Sequence, residues 1–471
     1  MSGLFSTLSV AARGLAAQQE VMDTASNNIN NANTPGYSRE TAVLQTVAPT
    51  EQVNGVAFGG GVTVSGVTQA RNSFLEAQIP QALGSAAYYS AQSSALQGFS
   101  GFNSSTTGGL GPAVSGFYSS LTALEQNPSD SGLRTSFLGA AQTLAQTFNS
   151  TSQQVASAQS GIDQQVSGLA TEVNTELTAV AQLNGQIGEL GGSSAQSATL
   201  DNLLDQRQTH LDNLAQYVGA TTVPSSSGEV NVILPGGQTL VAGSSAGSLS
   251  TQPDPSNGGH LAVVLTQPDG TRQSTPLPDS ALGGTLGGAI SARDGALETV
   301  GQEVGQLADD MINGTNANGL NAIHEKGYGL DGSTNNPLFT ISPTGNITVA
   351  ITDPQKLAMA SSANAPGDAG NAQALLATES TPLSGGQDVQ STLSGMVSQF
   401  GSASATSQAL STQDGAMANN LTQMRDSYSG VSIDEEMITM QQAERGYQAL
   451  AQVITTTNDM LSTLLAIPMV Q

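Results

Sequence analysis

The chain has 471 residues, too many for one core, so about two to four domains are expected. Its net charge is -25, and its 11 basic residues (Arg13, Arg71, Arg134, Arg207, Arg293 and Arg425 among them) are scattered singly, which argues against nucleic acid and anionic membrane as partners. The absence of cysteine excludes disulfides, Cys-ligated zinc and thiol catalysis, and the low aromatic, Ala-rich composition suits closely packed helices.

The first predicted element is a helix from Leu4 to Ala32. Leu4, Leu8, Ala11, Leu15, Gln18, Met22, Ala25, Ile29 and Ala32 recur at alternating steps of four and three, a heptad seam. Asn27, Asn28, Asn30 and Asn31 are poor helix-interior residues and are expected to fray its end. Asn33-Thr34-Pro35-Gly36-Tyr37 then forms a turn: Pro35 fixes φ, Gly36 accepts a positive φ, and Tyr37 supplies an aromatic anchor. Residues 40–70 read as extended strand and loop, with period-two alternation at Val62-Thr63-Val64.

Arg71 to about Phe99 reads as a helix interrupted near Pro80, and Pro112 to Glu125 as a shorter helix that stops before Asn127-Pro128. The longest helical signal runs from Leu133 to Leu190 through Phe137, Leu144, Phe148, Val155, Ile162, Val166, Val173, Val180 and Ile187. It implies a rod on the order of 90 Å, ended by Gly191-Gly192. Leu200 to Val218 is another helix. Residues 219–283 change character: Glu229–Leu234, Pro235-Gly236-Gly237 and Gln238–Val241 read as one hairpin, and Leu261–Gln267 followed by Pro268-Asp269-Gly270 opens a second. Thr285 to Ile312 is helical again, 325–365 is loop with strands at Phe339–Ile341 and Asn346–Val349, and Val389 to Tyr428 is a Ser/Ala/Gln-rich helix.

The last helix carries a second seam: Ile433, Met437, Met440, Glu444, Tyr447, Ala451, Ile454, Asn458, Leu461 and Leu465. A row beside it (Leu450, Val453, Met460, Leu464, Ile467) gives this helix a second apolar edge. Ser432 and Glu435 have the spacing of a capping box, and Asp434, Glu435 and Glu436 suit the positive end of the helix dipole. Each narrow stripe needs a partner. Packing inside one globule would satisfy it, but the boundary chemistry favours two terminal interaction helices with everything else inserted between them.

At these boundaries Asn27 to Arg39 (NNINNANTPGYSR) resembles the N-terminal signature of bacterial flagellar axial proteins. Gly430 to Met437, with the Tyr447–Leu465 helix, resembles their C-terminal signature. Together the two are specific for rod, hook and hook-associated proteins without separating the members. Asn30 stands where the family usually has Ala. Asp201–Arg207 (DNLLDQR), Tyr217-Val218, Val230–Val232, Gly237–Val241, Gly288–Asp294 and Leu307–His324 then resemble the hook-associated protein 1 (FlgK) family, which forms the first hook–filament junction layer.

The resemblance implies a structural part of the bacterial flagellum, built as a ring of copies of the chain. Hook protein would lie below, a second junction protein and filament components above, and an export chaperone would engage the C-terminal helix. It also implies a secreted, extracellular location reached by flagellar type III export without a cleaved signal peptide; the sequence itself shows no charged start followed by an apolar run. The expected interface is Leu4, Leu8, Leu15, Met22 and Ile29 with Ile433, Met437, Met440, Tyr447, Ile454, Leu461 and Leu465.

The expected fold is mainly α with inserted β, elongated and in discontinuous domains: a terminal coiled coil (1–45 and 430–471), a long-helix bundle body with extended segments (46–218 and 284–429) and a small outer β domain (219–283). No catalytic, metal or cofactor residue is expected, and the chain is read as not an enzyme. His210, His260 and His324 are assigned to a helix and two loops without metal-site spacing. Asp309-Asp310 point apart on a helix, and Asp331–Asn335 lacks a calcium loop's spacing and closing Glu. The alternatives are a hook or flagellin-like subunit, or a secreted adhesin or hydrolase with flagellar-type ends and a site in residues 219–283.

Overall fold

The computed structural model describes residues 2–48, 52–53, 56–57, 59–99, 109–190, 197–225, 228–314 and 318–466. Helix α1 (Ser2–Asn31) is followed by β1 (Glu40–Thr46), β2 (Gln52–Val53), β3 (Val56–Ala57) and β4 (Val62–Gln69). β1 and β4 pair antiparallel, as do β2 and β3. Four helices come next: α2 (Ser73–Gly98), α3 (Leu110–Gln126), α4 (Ser131–Leu190) and α5 (Ser197–Val218). An antiparallel sheet follows, with β5 (Thr221–Pro224), β6 (Val230–Ile233), β7 (Thr239–Ala242) and β8 (Ser245–Ala246) in that order. β9 (Ser248–Pro253) and β10 (Leu261–Thr266) form a hairpin. The chain then returns through α6 (Gly284–Ser291), a π-helical turn (Ala292–Leu297) and α7 (Glu298–Ile312). Last come α8 (Leu320–His324), the hairpin of β11 (Phe339–Ile341) and β12 (Ile347–Val349), α9 (Gly370–Ala377), α10 (Val389–Ser429) and α11 (Ile433–Ala466).

The fold is therefore mainly α with inserted β, and α4 is its axis. Its 60 residues are unbroken, and its periodic apolar positions, from Phe137 through Ile187, are buried. Helices α3, α5 and α7 and strands β7 to β10 and β12 lie against it, while α2 packs on α10 and α6. The α2–α6 crossing is tight enough that a Cβ at Gly288 would collide with the Tyr88 carbonyl oxygen. One continuous core runs from Leu96 to Met396 and takes in Val232, Leu240, Leu249 and Val263 of the β insert. No residue of α1 or α11 belongs to it.

The structure departs from the sequence reading in four elements. α2 passes straight through Pro80, because Ile79, Pro80 and Gly84 are buried and their packing outweighs the lost backbone bond. β10 pairs with the preceding β9, while the turn at 268–270 closes only a short irregular return, with Gln267 N donating to Thr271 O, Gln273 N to Leu265 O and a bridge between Thr266 and Arg272. α9 was not expected: its eight residues are too few to establish a period. His324 ends the short helix α8 instead of lying in a loop. Gly191-Gly192 and Ile467 lie outside the described residues.

Strands are docked on helices by asparagine. Asn149 and Asn174 of α4 each donate to and accept from one backbone residue, Ile347 and Leu249, at 2.7 to 2.8 Å. Asn184 donates to Val230 O and Gly243 O, at 2.7 and 2.8 Å, and accepts from Val230 N. Asn321 of α8 does the same for Phe339, at 2.9 Å in both directions. Each amide imitates a strand neighbour and satisfies backbone groups that burial would otherwise orphan.

Buried charges are similarly occupied. Arg134 donates to Pro128 O at 2.6 Å and to Pro354 O and Leu357 O at 2.9 Å. Arg293 is held by Asp163, Asp294 and Leu261 O. His324 donates from Nδ1 to Asn336 O and accepts at Nε2 from Ala358 N, so it is neutral in the fold, and burial lowers its pKa to about 4.

Candidate assembly surface of the terminal helices

α1 lies along α11 and otherwise packs on β1 and β4. The two helices come closest at glycines: a Cβ on Gly14 would sit 3.0 Å from Leu450 Cδ1, and one on Gly446 3.0 Å from Gln18 Cδ. The covered row of α11 is Glu436, Met440, Ala443, Tyr447, Leu450, Ile454, Thr457 and Leu461, again in heptad steps. On α1 the fully buried positions are Ala11, Gly14, Ala17, Thr24, Ala25 and Asn28, small or polar residues. Leu4, Leu8, Leu15, Met22 and Ile29 are only half-covered.

The seam read from the α11 sequence is therefore rotated from the contact with α1. The two rows share Met440, Tyr447, Ile454 and Leu461, all half-buried. Ile433 (44% exposed), Met437 (43%) and Leu465 (77%) face solvent. The true inner row contains Glu436 and Thr457, which a search for apolar residues passes over. Val453, Met460 and Leu464 of the expected side row are also exposed, while Leu450 turns inward.

The turn after α1 is a type II turn: Tyr37 N donates to Thr34 O at 3.2 Å, and Gly36 takes φ +80°. Asn33, Thr34, Pro35 and Gly36 are exposed, and Tyr37 is half-buried. The asparagine run does not fray α1. Asn28 is fully buried, its Nδ2 donates to Glu40 O at 2.8 Å, and its Oδ1 accepts from Glu40 N at 2.9 Å and from the Tyr37 hydroxyl at 2.8 Å. Asn27 donates to Glu40 Oε2, and Asn31 folds back on Asn27. These groups clamp helix, turn and β1 together. Asn30, the departure from the usual family form, is exposed.

The clamp is tied to the body by α5. Asp205 accepts from Ser38 N at 2.9 Å, Ser38 Oγ at 3.0 Å and Gln69 Nε2 at 3.0 Å. Arg207, two residues on, donates to Asn184 Oδ1 and Gly228 O, linking the joint to α4 and the insert. Arg39 N donates to Ser429 O at the end of α10, and its guanidinium meets Glu435 at 3.3 Å. The capping box is thus half-formed: Glu435 N reaches Ser432 Oγ only at 3.5 Å, and the Glu435 carboxylate turns to Arg39. Asn28, Ser38, Glu40 and Asp205 were not singled out as site residues, although three of them lie inside the two quoted motifs and Glu40 adjoins one.

His210 and His260 each meet one carboxylate, Glu176 and Asp163, contacts their spacing did not reveal. Among the described residues no three His, Asp or Glu side chains are grouped to hold a metal, and no helix is long and apolar enough to cross a membrane.

Two helical ends, paired outside the core and clamped to the body through an asparagine-rich turn, are the parts that known families share with this chain. Residues 8–37 match the Flagella basal body rod protein family and residues 422–467 the Flagellar basal body rod FlgEFG protein C-terminal family, which defines a protein of the flagellar axis. Residues 100–339 match the Flagellar hook-associated protein FlgK helical domain. The chain belongs to the flagellar hook-associated protein FlgK family.

Flagellar hook-associated protein 1 of Escherichia coli (strain K12) is 27% identical, with 98% of this chain and 100% of that protein covered. Its namesake in Bacillus subtilis (strain 168) is 26% identical over 99% of this chain and 98% of its own. The solved structure of the flagellar hook junction protein FlgK from Burkholderia pseudomallei shares the fold, with a TM-score of 0.66 at 18% identity, covering 75% of this chain and all of that one. These relatives are structural flagellar proteins, and the chain is a flagellar component that associates with other axial proteins.

Proposed function

We propose that this chain is a hook–filament junction protein, seated on the distal hook as a ring of its own copies. The observation that carries the reading is the incomplete seam of the terminal pair. Leu8, Leu15 and Met22 are half-covered, Ile433, Met437, Val453, Met460 and Leu464 are exposed, and none joins the core. Apolar rows on both flanks of a two-helix pair fit neighbouring helices better than water. Copies with a net charge of -25 repel one another, so apolar contact must supply the attraction.

In this reading α1 and α11 form the inner tube and the body lies outward. Hook protein docks below, and a second junction protein and filament components dock above. Before assembly the Val453–Leu464 edge suits an export chaperone, and the chain leaves by type III export without losing its N-terminus. In the free chain the unfinished pair should exchange its amides fast. The test replaces Ile433 and Met437, exposed and away from that edge, together with Asp. Cells should still secrete the chain but grow no filaments; normal filaments on such cells would refute the reading. The purified chain should also stop short of indefinite polymers, unlike a hook or filament subunit.

A further inference from the structure

Five Asn-Gly steps occur in the chain, and the fold leaves one of them open to reaction. Such a step is prone to ring closure, because Gly has no Cβ to keep its amide nitrogen off the preceding side chain. Asn54-Gly55 lies outside the described residues. Asn184-Gly185 lies inside α4, and the Asn184 side chain is committed to Val230, Gly243 and Arg207. Asn313 Nδ2 donates to Asp309 Oδ1, and Gly314 N donates to Asp309 O. Gly319, after Asn318, is buried against the backbone of Asn313 and Gly314. Asn257-Gly258, in the turn between β9 and β10, differs from these. Asn257 N and Gly259 N donate to Asp254 O, and His260 N donates to Asn257 O. Gly258 N and the Asn257 side chain make no hydrogen bond among the described residues. Gly258 is exposed, with φ +61°.

A base stands beside this step. His260 Nδ1 lies 3.1 Å from Asp163 Oδ2, while Arg293 and Leu261 N hold the other oxygen of Asp163. A carboxylate only accepts, so in the neutral ring Nδ1 carries the proton and Nε2 keeps a lone pair. That nitrogen is turned toward Gly258, where a Cβ would lie 3.7 Å from it. We propose that the turn converts itself: His260 Nε2 takes the amide proton of Gly258, whose nitrogen attacks Asn257 Cγ, and ammonia leaves. The bond from Gly258 N to Cγ forms as the Cγ–Nδ2 bond breaks, and His260 passes the proton to the departing nitrogen. Water then opens the five-membered imide to Asp or isoaspartate at position 257, and nothing is oxidised or reduced. The product adds one negative charge beside Asp254. Its isoaspartate form also lengthens the main chain by a methylene where His260 N bonds Asn257 O, so the hairpin is marked irreversibly with age.

The site belongs to a single chain and stands whether or not copies form a ring. The full-length protein is incubated at neutral pH, both native and in concentrated urea, and peptide mass spectrometry follows each Asn-Gly step. In the native chain Asn257 should convert at least about tenfold faster than Asn184, Asn313 or Asn318. It should also outpace Asn257 in urea by about tenfold, because unfolding takes His260 away from Gly258. His260→Gln, whose amide can still donate to Asp163, should slow native conversion about tenfold and leave the rate in urea unchanged. Added imidazole should restore part of that loss, which a merely structural role would not allow. A native rate no higher than the rate in urea would overturn the proposal, and this comparison needs no variant to fold. A folded His260→Gln chain that converts as fast as the unmodified one would overturn it too.

Discussion

The body and the terminal pair use the same kind of helix in opposite ways. In the body, Phe117, Phe137, Phe148, Leu177 and Phe339 are sealed, and the aromatic rings of Phe117, Phe137 and Phe339 pack at 5.1 to 6.1 Å. In the pair, complete burial is reserved for Gly14, alanines, threonines, Asn28 and Glu436, while the large side chains stay half-covered. Burial of a large apolar side chain is worth about 1.5 to 3 kcal/mol, so the body is finished alone and the pair is not. Stability and assembly are thus separated along the chain, and a substitution should strike one without the other.

The largest effect is expected in the body. Phe137→Ala should cost about 3 to 5 kcal/mol, read from denaturant unfolding. An equal loss from truncating Leu8 or Met22 would erase the contrast between the two regions. Next comes pH. His324 is neutral in the fold with its pKa lowered to about 4, while the unfolded chain takes up the proton near 6.5. The unfolded state therefore binds more protons in that window, and the body should lose up to about 3 kcal/mol as pH falls through it. Asp201, raised by burial to about 6, should act with the opposite sign. Subtracting the unfolding profile of His324→Gln isolates the effect; identical profiles would contradict it.

A smaller effect is expected at the clamp. Asn28→Ala strands Glu40 N and O and should weaken the joint by about 1 to 3 kcal/mol. Hydrogen exchange should then accelerate in β1 and β4 and stay unchanged in α4. Smallest in stability is Leu464→Asp, within about 0.5 kcal/mol for the monomer because its side chain is 47% exposed. Even so it should prevent filament attachment in cells, and filaments of normal number would join what the comparison separates.

Much of this was legible in the residues. The period of Phe137 to Ile187 marked α4 to within two residues at its start, and Pro35-Gly36 specified the turn type that forms. What hid was polar. Asn28, Asn149, Asn174, Asn184 and Asn321 each stand in for a strand, yet an asparagine in a helix reads locally as a weak residue. Its value comes from a backbone 12 to 198 residues away, which no local pattern records. Which face of α11 meets α1 was hidden for a related reason. Ile433 and Met437 are apolar and outside, Glu436 and Thr457 are polar and inside, and periodicity weighs side chains by solubility alone.

The unbroken course of α4 has a mechanical consequence. At 1.5 Å per residue its 60 residues form a spar of about 90 Å, braced by helices and strands along its length. Torque applied to such a beam is carried along a continuous hydrogen-bonded ladder and leaks little into bending. The spar therefore keeps its two ends, at Ser131 and Leu190, at a fixed separation.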